Sequence, residues 1–72
     1  MRIWVFVELI ADQKEPEITL YLSEEAAHSA LQAMFAIYEE DGAEWVDTKE
    51  LNETYRFACD QYEGYLMWLP VV

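Results

Sequence analysis

The residues with the most chemical potential in this chain are acids crowded into its middle. Glu39, Glu40, Asp41, Glu44, Asp47, Glu50 and Glu53 fall within fifteen residues that hold one base, Lys49, so this stretch carries six of the eleven net negative charges. Large rings are interleaved with them: Tyr38, Trp45, Tyr55 and Phe57. Carboxylates framing an exposed ring are interface chemistry, because the ring supplies a desolvated anchor while the acids meet Arg or Lys at the rim. The residues expected to grip a partner are therefore Glu39, Glu40, Asp41, Glu44, Trp45, Asp47, Glu50, Glu53 and Phe57. A bland alternative gives the same acids only a solubilising role.

Other chemistries find no support. His28 is the only histidine and no motif sets a serine or cysteine beside it, so a nucleophile–base pair is not indicated. Cys59 is the only cysteine and reads as a small buried hydrophobe. General acid–base work by paired carboxylates needs one of them desolvated in a cleft, which a chain of 8.5 kDa rarely houses. The acids lack the calcium-loop spacing, and the two glycines are too far apart for a phosphate cradle. No enzyme, metal centre or cofactor is expected. Fifteen acids against four Lys and Arg give a net charge of −11, which excludes direct nucleic-acid binding as the main activity.

These side chains must be positioned by few elements. Residues 2 to 10 are β-branched and aromatic, and read as a strand with Ile3, Val5, Val7 and Leu9 on one face and Trp4, Phe6, Glu8 and Ile10 on the other. A polar segment ending in Pro16 leads to a return strand over residues 18 to 22. Ser23 is a helix N-cap with Glu24 and Glu25 in the first turn, where the helix dipole favours negative charge. The 3.6-residue period places Ala26, Ala27, Ala30, Leu31, Met34, Ile37 and Tyr38 on a common face, His28 opposite and Phe35 at the boundary. Gly42 suits the left-handed position that stops the helix.

Residues 43 to 64 allow two readings. Asp47-Thr48-Lys49-Glu50 has capping-box form, and Leu51, Tyr55, Ala58 and Tyr62 then recur at helical spacing, which predicts a second helix on which Phe57 lies beside Glu50 and Glu53. The competing reading pairs residues 55 to 62 with 65 to 72 across Glu63-Gly64. Residues 65 to 72 are a strand either way, with Pro70 at an edge or overhang. The predicted fold is one α+β domain over residues 1 to 72, with a small antiparallel sheet of three strands and two helices in the order β-β-α-α-β. The alternative is four strands in the order β-β-α-β-β.

Such a sheet has an apolar surplus. Trp4 and Phe6 on the first strand, and Trp68 on the last, are expected on a second face that a two-layer fold leaves wet; the second helix, a homodimer or another protein would cover it. The longest apolar run, residues 3 to 7, is too short for a membrane span or the core of a signal peptide, and a lone cysteine suits a reducing compartment, so cytoplasm is expected.

In size, charge and aromatic content the chain resembles the phage-encoded inhibitors that act as nucleic-acid mimics, among them anti-CRISPR and anti-restriction proteins. The resemblance covers the whole chain and rests on composition alone. It implies a protein that occupies the basic groove of a nucleic-acid-handling enzyme or effector complex, with the seven acids from Glu39 to Glu53 standing in for phosphates. The alternative is a small homodimeric structural or regulatory subunit.

Overall fold

A computed structural model describes residues 1 to 71. One helix packs on one face of a five-stranded antiparallel sheet: β1 (Arg2–Ile10), β2 (Glu17–Tyr21), α1 (Glu24–Tyr38), a short 3-10 turn (Glu39–Asp41), β3 (Glu44–Val46), β4 (Glu53–Cys59) and β5 (Tyr62–Pro70). The spatial order is β2-β1-β5-β4-β3, so the two longest strands, β1 and β5, are central and β2 and β3 form the edges. The second helix expected after Asp47 and ending near Gly64 does not exist, and the three-stranded sheet is replaced by five strands. The four-stranded alternative lacks β3, and its turn at Glu63-Gly64 is also displaced. The β4–β5 hairpin turns at Asp60-Gln61, between paired Cys59 and Tyr62, and Gly64 lies within β5 opposite Phe57. The final strand, expected over residues 65 to 72, runs from Tyr62 to Pro70, and Val72 lies outside the described residues.

Local signals explain the first half. The Ser23 hydroxyl accepts a hydrogen bond from the Ala26 amide at 3.2 Å, satisfying one of the orphan donors at the start of α1. Gly42, at φ 88°, takes the left-handed conformation that ends the helical segment, and the Ala43 amide then donates back to the Tyr38 carbonyl at 3.1 Å. The chain leaves this turn directly into β3. Ala27 and Leu31 are the fully buried residues of α1. Ile37, expected on the buried face, is 61% exposed, while His28 and Phe35 are drawn into partial burial. The contact face is therefore rotated towards β3 and β4, where the sheet offers aromatic partners.

The face under α1 is the aromatic one. Trp4, Phe6, Phe57, Tyr62 and Leu66 form the buried cluster with Ala27, Leu31 and Ala43, and Trp68 packs half-buried against it. Trp4, Phe6 and Trp68, expected on an uncovered face, thus point at the helix. The assignment of faces is inverted because burying Trp, Phe and Tyr removes more apolar area from water than burying Ile and Val does. The Tyr62 ring stacks on Tyr38 at 4.1 Å and lies 5.4 Å from Phe57. Its hydroxyl donates to Glu8 Oε2 at 2.8 Å. Burial, reinforced by this carboxylate, pushes the Tyr62 hydroxyl well above the usual tyrosine range.

Gly64 makes room for these rings. A Cβ at this position would meet the Tyr62 ring at 3.0 Å and the Phe57 ring at 3.2 Å. Gly64→Ala forces both rings off their packed positions and is expected to destabilise the fold by about 1–3 kcal/mol. Urea unfolding checks this: the midpoint falls with an unchanged slope, and an unchanged midpoint contradicts the packing described.

Candidate functional site

The acidic segment is laid along one edge of the sheet by three consecutive pieces of chain. The 3-10 turn at the end of α1 carries Glu39, Glu40 and Asp41; β3 carries Glu44 and Trp45; and the loop from β3 to β4 carries Asp47 and Glu50. All are exposed. β3 pairs only with β4, so its other side is a free edge, and its three residues run about 7 Å from Glu44 to Val46 at ~3.3 Å per residue. Short edge strands rich in charge resist pairing with other strands, and this strand is both.

Each base is engaged away from this row or lies elsewhere. Arg2 sits over the Trp68 ring at 4.1 Å, and Lys14 is in the β1–β2 connection. Lys49 approaches Glu63 at 3.9 Å. Arg56 is buried between Glu53 and Glu63 and lies 4.1 Å over the Tyr65 ring. Among the described residues no ion pair engages Glu39, Glu40, Asp41, Glu44, Asp47 or Glu50. Six uncompensated carboxylates along one edge produce a negative potential that decays over a Debye length of about 8 Å at physiological salt.

Two residues expected on this surface are not there. Glu53 is buried: its carboxylate accepts from Arg56 Nε at 3.2 Å and from the Lys49 amide at 2.7 Å. Phe57 is completely buried beneath α1. Both were placed on a helix; in a regular strand residues four apart share a face, but the register shift between Glu53 and Tyr55 leaves Glu53, paired with Met67, facing away from α1 while Phe57 faces it. Glu53 opens β4 at a register shift and closes the preceding loop onto the sheet. Burial raises the Glu53 carboxyl, but hydrogen bonds from Arg56 and the Lys49 amide outweigh it and leave the group below the usual carboxylate range.

Trp45 is 41% exposed and stacks on Phe35 at 4.6 Å with ring planes 20° apart. Its other neighbours are Phe57, edge-on at 5.4 Å, and Tyr55 at 6.3 Å. Tyr55 is 40% exposed and lies 4.7 Å from the His28 ring. Trp45, Tyr55 and His28 thus line the seam between α1 and the acidic edge, a shelf of half-covered rings beside the carboxylates. The sequence reading counted Tyr55 among the rings interleaved with the acids but put it on a buried helical stripe, and it put His28 on a solvated face. The alternation of Tyr55, Phe57 and Cys59 was the available signal for Tyr55. Nothing in the sequence pairs it with His28.

Among the described residues no group of three His, Cys, Asp or Glu side chains is arranged to hold a metal ion, and no helix is long and apolar enough to cross a membrane. Cys59 is half-buried and unpaired, beside a shallow depression lined by Leu9, Ile10 and Gln61. No protein-family model, curated protein or solved structure matches this chain.

The geometry at Glu53 makes a pH prediction. A carboxyl whose value is lowered in the folded state contributes stability that is complete above the unfolded value, about 4.3, and is lost as pH falls through the folded value. In urea titrations Glu53→Gln is therefore less stable than the native chain at neutral pH, and the gap closes as pH falls below 4.3. Arg56→Met leaves Glu53 buried without its cation and is expected to cost about 3 kcal/mol. A gap constant across this pH range contradicts the assignment.

Proposed function

We propose that this protein is a non-enzymatic inhibitor whose acidic edge, with the Trp45 and Tyr55 rings beside it, occupies a basic nucleic-acid-binding site on a partner protein or effector complex. The anti-CRISPR and related anti-defence inhibitors of phage are the class whose mode of action it shares on this reading. The observation that carries the proposal is the set of six exposed carboxylates, Glu39 to Glu50, with no base paired to them among the described residues. In a chain of net charge −11 with four Lys and Arg, leaving six neighbouring acids uncompensated costs the folded state through self-repulsion, and a docked cationic surface offsets that cost.

The rings refine the mode of binding. Carboxylates alone give steering and register; half-exposed Trp and Tyr give the desolvated contact from which most binding energy comes. The predicted interface is therefore mixed, with a ring set against an apolar or guanidinium surface and carboxylates meeting Arg or Lys around it. Association is fast at low ionic strength and slows with salt, as for any pair of oppositely charged patches.

Pull-down from a bacterial lysate with the tagged protein, in low and in high salt, tests this reading. The expected catch is a nucleic-acid enzyme or effector complex, released by salt and displaced by competing DNA or RNA. Reversing Glu44, Asp47 and Glu50 to Lys abolishes the capture and leaves the circular dichroism spectrum and unfolding midpoint near those of the native chain, because all three side chains are exposed. Capture that survives the reversal, or a retained set free of nucleic-acid-handling proteins, overturns the proposal.

A further inference from the structure

The sheet face opposite α1 is uncovered. On β2, β1 and β5 the outward positions are set by the pairings Val5 with Leu20 and Met67, and Val7 with Ile18 and Tyr65. These six side chains form a continuous apolar field, extended along the strands by the pair Ile3 and Leu69. Val5 and Val7, at the centre of this field, are 6% and 5% exposed, while Ile18 and Leu20 stand 60% and 63% exposed. Scattered surface hydrophobes are ordinary, but a field across three adjacent strands is not.

We infer that this face is the interface of a homodimer, in which two copies pack sheet against sheet and bury Val5, Val7, Ile18, Leu20, Tyr65 and Met67 between them. Charge identifies the occupant. In a chain of net charge −11, the one ionic group facing outward on these three strands is Glu63, and Arg56 and Lys49 neutralise it together with Glu53. A cationic partner has nothing to grip on this face and is drawn instead to the β3 edge. A second copy of the face is equally neutral, flat and apolar, and it carries the same strand twist. Two such sheets pack with strands about 30° apart and about 10 Å between layers. A two-fold arrangement makes the contact self-complementary and closed.

The dimer does not depend on the acidic-edge reading, and salt separates the two. Two copies that each carry −11 repel, so screening strengthens self-association while weakening any grip of the acidic edge on a basic partner.

Sedimentation equilibrium of the full chain is the test. The expected mass is twice 8.5 kDa, with an affinity that rises from low to high salt. Leu20→Lys combined with Leu69→Lys alters side chains exposed in the single chain and weakens association by roughly a hundredfold. Ile37→Lys, on the exposed side of α1, leaves it unchanged. Should the double variant fail to fold, methyl spectra of the native chain on dilution decide, with shifts of the Val5, Val7 and Met67 methyl resonances expected as the covering face departs. A mass of one chain at high concentration and high salt overturns the inference. So does a dimer that ignores the Leu20 and Leu69 changes, or dilution that leaves the Val5, Val7 and Met67 methyl resonances where they were.

Discussion

Among the described residues one 15-residue helix covers a five-stranded sheet, and it can shield one face only. Everything distinctive about the surface follows from which face it takes. α1 covers the side that carries Trp4, Phe6, Phe57, Tyr62 and Leu66, where large rings repay burial most. The β-branched and aliphatic side of β1, with its neighbours on β2 and β5, is left without a layer. A small domain buries a modest fraction of its chain in any case, and here that deficit is gathered on a single face instead of being spread.

The charges are sorted by the same constraint. Where β4 carries an acid and a base away from the helix, Glu53 and Arg56, both are buried and matched to each other and to Glu63, so no buried side-chain polar atom among the described residues lacks a partner. This ties the β3–β4 loop to the strands and keeps the β2-β1-β5 part of the open face neutral. The acids with no such partner collect on the 3-10 turn, on β3 and in the following loop, at the edge where a short charged strand also protects against unwanted strand pairing. The molecule thus presents an acidic edge with rings set into it and a neutral apolar sheet, two surfaces that suit different kinds of contact.

The first half of this architecture was legible. The β-branched run of β1, Pro16 before the return strand, the Ser23 cap and Gly42 are local signals, and the structure keeps all of them. The second half was not, because its elements are defined by pairing rather than by local preference. Asp47-Thr48-Lys49-Glu50 looks like a capping box, yet the Lys49 amide donates to Glu53, the first residue of a strand, so the same chemistry closes a loop. Asp60-Gln61 lacks the Asn-Gly signature that announces a two-residue hairpin, and Gly64, which resembles a turn residue, is there because two rings lie over it. The strand alternation of β1 was read correctly, but which side meets the helix is decided by partners 50 and 60 residues away. Of the candidate site, the exposed acids and Trp45 were legible as a composition block, whereas Glu53 and Phe57 changed roles once β4 became extended.

The claim on which both surfaces rest is the placement of α1 over the ring-bearing side of the sheet, and methyl and aromatic nuclear Overhauser contacts in solution report it directly. The account predicts cross-peaks from Leu31 and Met34 to Trp4, Phe57 and Leu66, and none from α1 to Val5, Val7 or Met67. Contacts between the helix and Val5, Val7 or Met67 would reverse the two faces and remove the open apolar sheet together with the half-exposed shelf of Trp45 and Tyr55.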